Sequence, residues 1–309
     1  MDLLPDLADD PVGAPSVAAN LLAARLVRER GVIVTLVGEG GDEVFLGYPQ
    51  TWRTWNLGRR LGFLANLSPR VTGGIRSRMP GLLAGFSPTN AMDATLDELM
   101  YRHERGQRAY WGHGTLSTHR EREQLRAAHD TDHDPHLALL SRLGEAEERL
   151  RADGRELDRL MLTDISVGLA ERLLMRVDRA TMAFSVEARV PLLDPAVIRT
   201  VQRIDPVRRG RKPKALLEEI ARPILPRPVL ERPKAGFPTA RRVFLAPGPF
   251  SRIRDSVLDP RFMKVARLRP EAVRRTLEQG ADGHSRHFYQ TWALYVLSLW
   301  YRRWVENEA

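Results

Sequence analysis

The sequence predicts an α/β protein with a small parallel sheet toward its N-terminal end and a large helical portion after it. Three observations carry this. An amphipathic stretch, VAANLLAARLVRER, gives way at Gly31 to VIVTLV (Val32–Val37), a β-branched and nearly all apolar run. A glycine-rich turn, GEGGDE (Gly38–Glu43), follows at once. From about Asn90 the text is helical almost throughout.

Taken in order, Ser16 reads as the cap of the first helix, with Val17, Leu21, Leu22 and Leu26 as its apolar stripe and Gly31 as its stop. VIVTLV has the pattern of a strand buried on both faces, and a second helix is expected to start near Glu43. The segment Asp205–Pro238 carries prolines at 206, 213, 223, 226, 228, 233 and 238, which break any long helix into short pieces. It reads either as a loop presenting side chains to a ligand or as a solvated basic connection. In the closing helix Phe288, Trp292, Tyr295 and Leu299 recur at helical spacing, a core face. HDTDHDPH (His129–His136) has metal-ligand residue types, but Asp134 before Pro135 reads as a helix cap and first helical position.

Composition sets limits. The chain has 309 residues, 43% hydrophobic and 28% charged, the balance of a folded protein with room for a sizeable core. It has no cysteine, which excludes disulfides, Cys-ligated zinc and thiol catalysis. The opening MDLLPDLADD lacks the basic start and apolar core of a signal peptide, so the expected location is the cytoplasm. The most apolar stretch, Trp292–Trp300, is too short to span a membrane. A formal charge of +9 favours anionic partners such as nucleotides. The arginines match no nucleic-acid module, and nucleic acid is not an expected partner.

Glycines at the carboxyl end of a parallel strand let a ligand approach the backbone, and the following helix offers its positive end to anions. Glu39 and Asp42 in that turn are poor direct phosphate ligands, unless Mg²⁺ intervenes or one of them acts on an amine. A plain structural turn stays open as the other reading.

GEGGDEVFLGYP resembles the signature of the synthetase domain of the asparagine synthetase family, whose amide-forming relatives include β-lactam synthetases, lasso-peptide cyclases and natural-product amidotransferases. DPVGAPS (Asp10–Ser16), RVDRATMAFSVEARVPLLD (Arg176–Asp194), KALL (Lys214–Leu217), RPKAGFP (Arg232–Pro238) and HFYQTWALYVLSLWYRRW follow in the family order. The resemblance implies a fold of the adenine-nucleotide α-hydrolase-like, or ATP pyrophosphatase, type. Residues 1–309 would form one incomplete synthetase domain, with an α/β part over 1–90 and a mainly helical part over 91–309. It also implies ATP and Mg²⁺ as cofactors, a small-molecule or peptide carboxylate as substrate, and two half-reactions: adenylation of the carboxylate, then capture of the acyl group by an amine or ammonia. Glu39 is implied as the acid that organises the reacting centre, Lys234 as the cation on the transferring phosphorus and departing pyrophosphate, and Asp42 as the Mg²⁺ ligand. Val37, Gly38, Gly40 and Gly41 are implied to contact ATP or substrate. Asp178, Arg179, Glu187 and Arg189 are implied to line the same cleft, with a structural ion-pair network as the alternative for these four.

The departures matter too. The family's Ser-Gly-Gly-x-Asp-Ser pyrophosphate loop is absent, and no SGG occurs in the sequence. Also absent is the glutaminase domain, which begins with cysteine. Val37 stands where asparagine synthetases carry serine, which argues against aspartate as the substrate, and Glu218 stands where the family pattern has arginine. Two expectations result: a synthetase component that needs a complementary chain for the missing loop, and possession of the fold without catalysis, as an assembly subunit.

Overall fold

In the computed structural model the described residues are 11–49, 51–52, 54–56, 98, 101–102, 112, 117–127, 141, 143–205, 212–232, 241–281 and 285–306. Helix α1 (Ser16–Glu29) leads into strand β1 (Val34–Leu36) and the short helix α2 (Gly41–Val44). Helices α3 (His119–Leu125), α4 (Gly144–Ala152), α5 (Glu156–Thr163) and α6 (Met175–Met182) precede strand β2 (Glu187–Arg189). A 3₁₀ turn (Pro191–Leu193) comes next, then α7 (Pro195–Arg203), α8 (Ala215–Ala221), α9 (Arg227–Leu230), α10 (Arg241–Phe244), α11 (Pro247–Val257), α12 (Pro260–Val265), α13 (Pro270–Ala281) and α14 (Ser285–Trp304). The fold is α/β, mostly helical, with a small parallel sheet. No helix among the described residues is long and apolar enough to cross a membrane.

The sheet joins distant parts of the sequence. β1 pairs with β2 in parallel, Val34 opposite Glu187, Thr35 opposite Ala188 and Leu36 opposite Arg189. The ladder is extended by Glu187 N–H to Ile33 O at 2.8 Å and Val37 N–H to Arg189 O at 2.9 Å. The strand is shorter and far less buried than VIVTLV predicts: Ile33 is 60% exposed and Leu36 71% exposed. Among the described residues β1 has a partner strand on one edge only, and Ile33 and Leu36, three residues apart, lie exposed on opposite faces of the run.

Helix α1 differs from its sequence reading in the same way. Pro15 occupies the cap position and Ser16 is the first helical residue. The buried face runs through Ser16, Val17 and Ala24 against α6, while Leu22 and Leu26 lie exposed. Leu22 and Leu26 therefore do not belong to the packed stripe. Similarly, α2 begins at Gly41 rather than Glu43, because Gly40 in the left-handed conformation closes its N-terminal end.

Between α5 and α6 the chain stays helical but widens into a π-helix over Asp164–Leu174. Its buried residues, Asp164, Gly168, Leu169 and Leu173, are spaced by four, one and four, as a wider turn requires. Among the described residues of Asp205–Pro238, α8 and α9 are the short pieces that its prolines predict.

The largest core lies in the C-terminal helices, where α14 packs on α11 and α13 through Phe288, Trp292 and Tyr295. Trp292 is fully buried, with Phe244 at 4.5 Å between ring centroids. Val17 joins this cluster and ties α1 to it. Trp292→Ala is expected to cost about 3–5 kcal/mol in urea denaturation. Trp292→Phe, which keeps a ring and discards a buried N–H that lacks a partner, is expected to cost less.

Candidate functional site

The site is built on the turn that follows β1. Gly40 has φ 86°, and a side chain there would run into Leu193; a Cβ at Gly41 would sit 2.9 Å from Leu192 Cδ1. These two glycines let the loop press onto the 3₁₀ turn after β2. Gly38 differs: a Cβ there meets nothing within 4 Å, and the residue lines a cleft of about 900 Å³. The same cleft is lined by Asn20, Ala24 and Val27 of α1, by Val37, Glu39, Asp42 and Tyr48 of the loop, and by Arg176 and Val177 of α6.

Glu39 is held in place. Arg176 donates from Nη2 to Glu39 Oε1 at 2.9 Å and from Nη1 to Ser16 Oγ at 2.6 Å. The guanidinium is buried and the carboxylate about one-quarter exposed, so the pair is shielded on one side and open to the cleft on the other. Asp42 makes a second ion pair, Oδ1 to Lys214 Nζ at 2.9 Å. Gly47 is what allows it. A Cβ there would overlap the Asp42 side chain and lie 2.6 Å from Lys214 Cε. Lys214 itself adopts φ 56°, a left-handed position at the start of α8.

Behind the loop lies a buried polar layer. Tyr48 donates to Glu43 Oε1, and Thr51 donates to Asp164 Oδ2 at 3.1 Å. Burial pushes the Glu43 carboxyl above the ordinary value of 4.5, partly offset by the Tyr48 hydroxyl. Burial and then the charge of Glu43 push the Tyr48 hydroxyl well up. Burial lowers Arg172, opposed by Tyr48, Glu43 and Asp164. Trp52 braces the turn, donating to Leu46 O at 2.7 Å where Leu46 has φ 53°.

The other expected site residues are placed apart from this centre. Glu187 and Arg189 pair with each other on the exposed side of β2, Arg189 Nε to Glu187 Oε1 at 2.9 Å, outside the cleft lining. Asp178 is exposed on α6 and Arg179 half-buried, and neither lines the cleft. Lys234 and His129–His136 lie outside the described residues. Glu218 pairs with Lys212 at 2.5 Å. Conversely, Arg176, Ser16, Lys214 and Tyr48 take part without having been named as site residues, although each sits inside a quoted motif.

A family model described as asparagine synthase matches residues 1–302. The chain belongs to the asparagine synthase family. It is 29% identical over 308 residues to the putative asparagine synthetases [glutamine-hydrolyzing] of Mycobacterium bovis and Mycobacterium tuberculosis, covering 97% of this chain and 43% of theirs. It is 25% identical over 309 residues to asparagine synthetase [glutamine-hydrolyzing] 1 of Bacillus subtilis, covering 97% of this chain and 45% of that one. The chain thus spans less than half the length of these asparagine synthetase relatives. No solved structure matches it.

The raised Glu43 carboxyl gives a pH signature. A carboxyl raised in the folded state contributes stability that is full below its unfolded value and is lost as pH rises through the folded one. Relative to Glu43→Gln, the wild type is therefore expected to lose stability as pH rises above about 4, with a slope of at most about 1.4 kcal/mol per pH unit. Urea denaturation of both proteins across that range checks the sign and the size.

Proposed function

We propose that this chain is a component of an ATP-dependent amide-forming synthetase. The observation that carries the reading is Glu39: a carboxylate at the carboxyl end of a parallel strand, facing a cleft and oriented by a buried arginine. Membership of the asparagine synthase family supports it.

In the first half-reaction a substrate carboxylate oxygen attacks the α-phosphorus of ATP and pyrophosphate leaves. In the second an amine nitrogen attacks the acyl carbon, AMP leaves, and the proton lost by nitrogen passes to Glu39. Arg176 takes Glu39 Oε1 and leaves Oε2 for that proton. Asp42, set by Lys214, fits a Mg²⁺ ion that arrives with the nucleotide. The described residues hold no cluster of three acidic or histidine side chains that could bind an ion unaided, and Mg²⁺ is commonly held by one or two carboxylates plus phosphate oxygens. When bound, the ion offsets phosphate charge. Lys234 supplies the cation for the departing pyrophosphate.

The edge of β1 without a partner strand among the described residues, with Ile33 and Leu36 exposed, supports a complementary chain that carries the Ser-Gly-Gly-x-Asp-Ser loop. The names of the relatives, glutamine-hydrolyzing asparagine synthetases, support glutamine as nitrogen donor through a glutaminase domain on such a partner.

Pyrophosphate exchange reports the first half-reaction alone, and amide release reports both. In the active complex, Lys234→Ala is expected to slow exchange on the order of a few hundredfold. Glu39→Gln is expected to impair amide release at least as much as exchange. Wild-type amide release in both variants overturns the catalytic reading, and so does an assembled complex that performs neither reaction, which is the behaviour of an assembly subunit.

A further inference from the structure

Arg126, Lys264, Arg267 and Arg269 meet at one place on the surface, where the end of α3 lies against the turn between α12 and α13. Arg126 forms an antiparallel bridge with Leu268; Ala127 N–H donates to Arg267 O at 2.7 Å, and Arg269 N–H donates to Leu125 O at 2.8 Å. Leu125 and Leu268 pack on the C-terminal core, and the four cations lie exposed around them. Val265, next to Lys264, is 57% exposed. The acids of α3 and α12 are engaged elsewhere. Glu121 closes a capping box with Thr118, Glu123 accepts from the Tyr101 hydroxyl at 2.8 Å, and Asp259 caps α12 and pairs with Arg302 at 3.1 Å. Arg126, Lys264 and Arg269 have no side-chain ion pair among the described residues.

One of the four cations is placed at a cost. Helix α12 ends in a Schellman turn, with Arg267 N–H donating to Lys264 O at 3.2 Å, Leu268 N–H donating to Met263 O at 3.0 Å, and Arg267 at φ 49°. That left-handed position favours glycine, which has no Cβ to crowd the neighbouring carbonyl. The backbone gives no reason for an arginine there.

We propose that this basic surface docks an acidic segment of a partner polypeptide. Carboxylates match the planar forks of the arginines, and Val265 offers an apolar contact between them. Other polyanions fit less well. Among the described residues of α3 and α12 no exposed aromatic ring offers bases a stacking surface, and helices of seven and six residues are too short to lie along a groove. Val265 alone is too little apolar surface to hold the patch in a bilayer. None of these residues lines the cleft, so the proposal stands apart from the amide-synthetase reading.

The test uses the whole chain and fluorescein-labelled decaglutamate, read by fluorescence anisotropy at low ionic strength. The peptide is expected to bind. Lys264→Glu combined with Arg269→Glu is expected to weaken it on the order of tenfold or more, while Arg199→Glu, at an exposed position on α7, leaves affinity within about twofold. Arg267→Gly is expected to weaken the peptide roughly threefold and at the same time to raise the midpoint of thermal unfolding, because it relieves the left-handed position. This variant loses binding without losing the fold.

Failure of the peptide to bind overturns the proposal; it is the result expected if Asp130, Asp132 and Asp134, which follow Arg126 in the sequence, neutralise the patch from within the chain. An equal loss in Arg199→Glu overturns it in favour of net charge. Wild-type affinity in a stabilised Arg267→Gly overturns it as well. So does displacement of the peptide by a deoxythymidine decamer or by phosphatidylglycerol vesicles at lower concentration than by unlabelled decaglutamate, which would make the partner a nucleic acid or a membrane.

Discussion

The architecture of the site depends on one buried guanidinium. Arg176 ties the first turn of α1, through Ser16, to the loop after β1, through Glu39. Two consecutive elements are fixed to each other and to a third, 137 residues beyond Glu39, by a single side chain. An arginine suits this position because its planar fork serves two acceptors at once without changing rotamer, whereas an ammonium serves them as a point charge. The charge is compensated by Glu39, and that compensation is what makes its burial tolerable.

The remaining structure keeps Glu39 at that station. Gly40 and Gly41 press the loop onto Leu192 and Leu193, so the turn after β2 sets the height of the loop after β1. Beneath it, Glu43 with Tyr48 and Thr51 with Asp164 form a polar floor whose members are all buried. The π-helical stretch has a part in this. It carries Asp164 to the floor while the next turns bring Arg176 to the cleft, both from one unbroken helix. On the far lip, Asp42 and Lys214 close the site by an ion pair that the absence of a side chain at Gly47 permits.

Much of this was legible in the sequence, and the failures have physical causes. The parallel strand, the acidic glycine turn, the proline-broken segment and the aromatic face of α14 could be read from local pattern because local propensity and packing agree there. Leu22, Leu26, Ile33 and Leu36 were misread because apolar residues report a capacity for burial, not the presence of a neighbour to bury them. Glycine was read as access for a ligand. Only Gly38 has open space at the cleft, while Gly40 and Gly41 serve backbone packing, a distinction that depends on the leucines opposite them. Asp178 and Arg179 rested on the resemblance alone, which does not say which side chains of the motif turn to the cleft; the π-helical stretch just upstream sets that face, and Arg176 is the one that reaches it. The pairing of Ser16 with Arg176 spans 160 residues, a separation at which no sequence period speaks.

The most direct test of this account is a double-mutant cycle on Arg176→Met and Glu39→Gln, followed by urea denaturation. If Arg176 holds Glu39 at the cleft, the two substitutions are coupled: the double variant loses less than the sum of the single variants, by about 1–3 kcal/mol. Additive losses, with coupling below about 0.3 kcal/mol, would contradict it and leave Glu39 without the support on which the site is built.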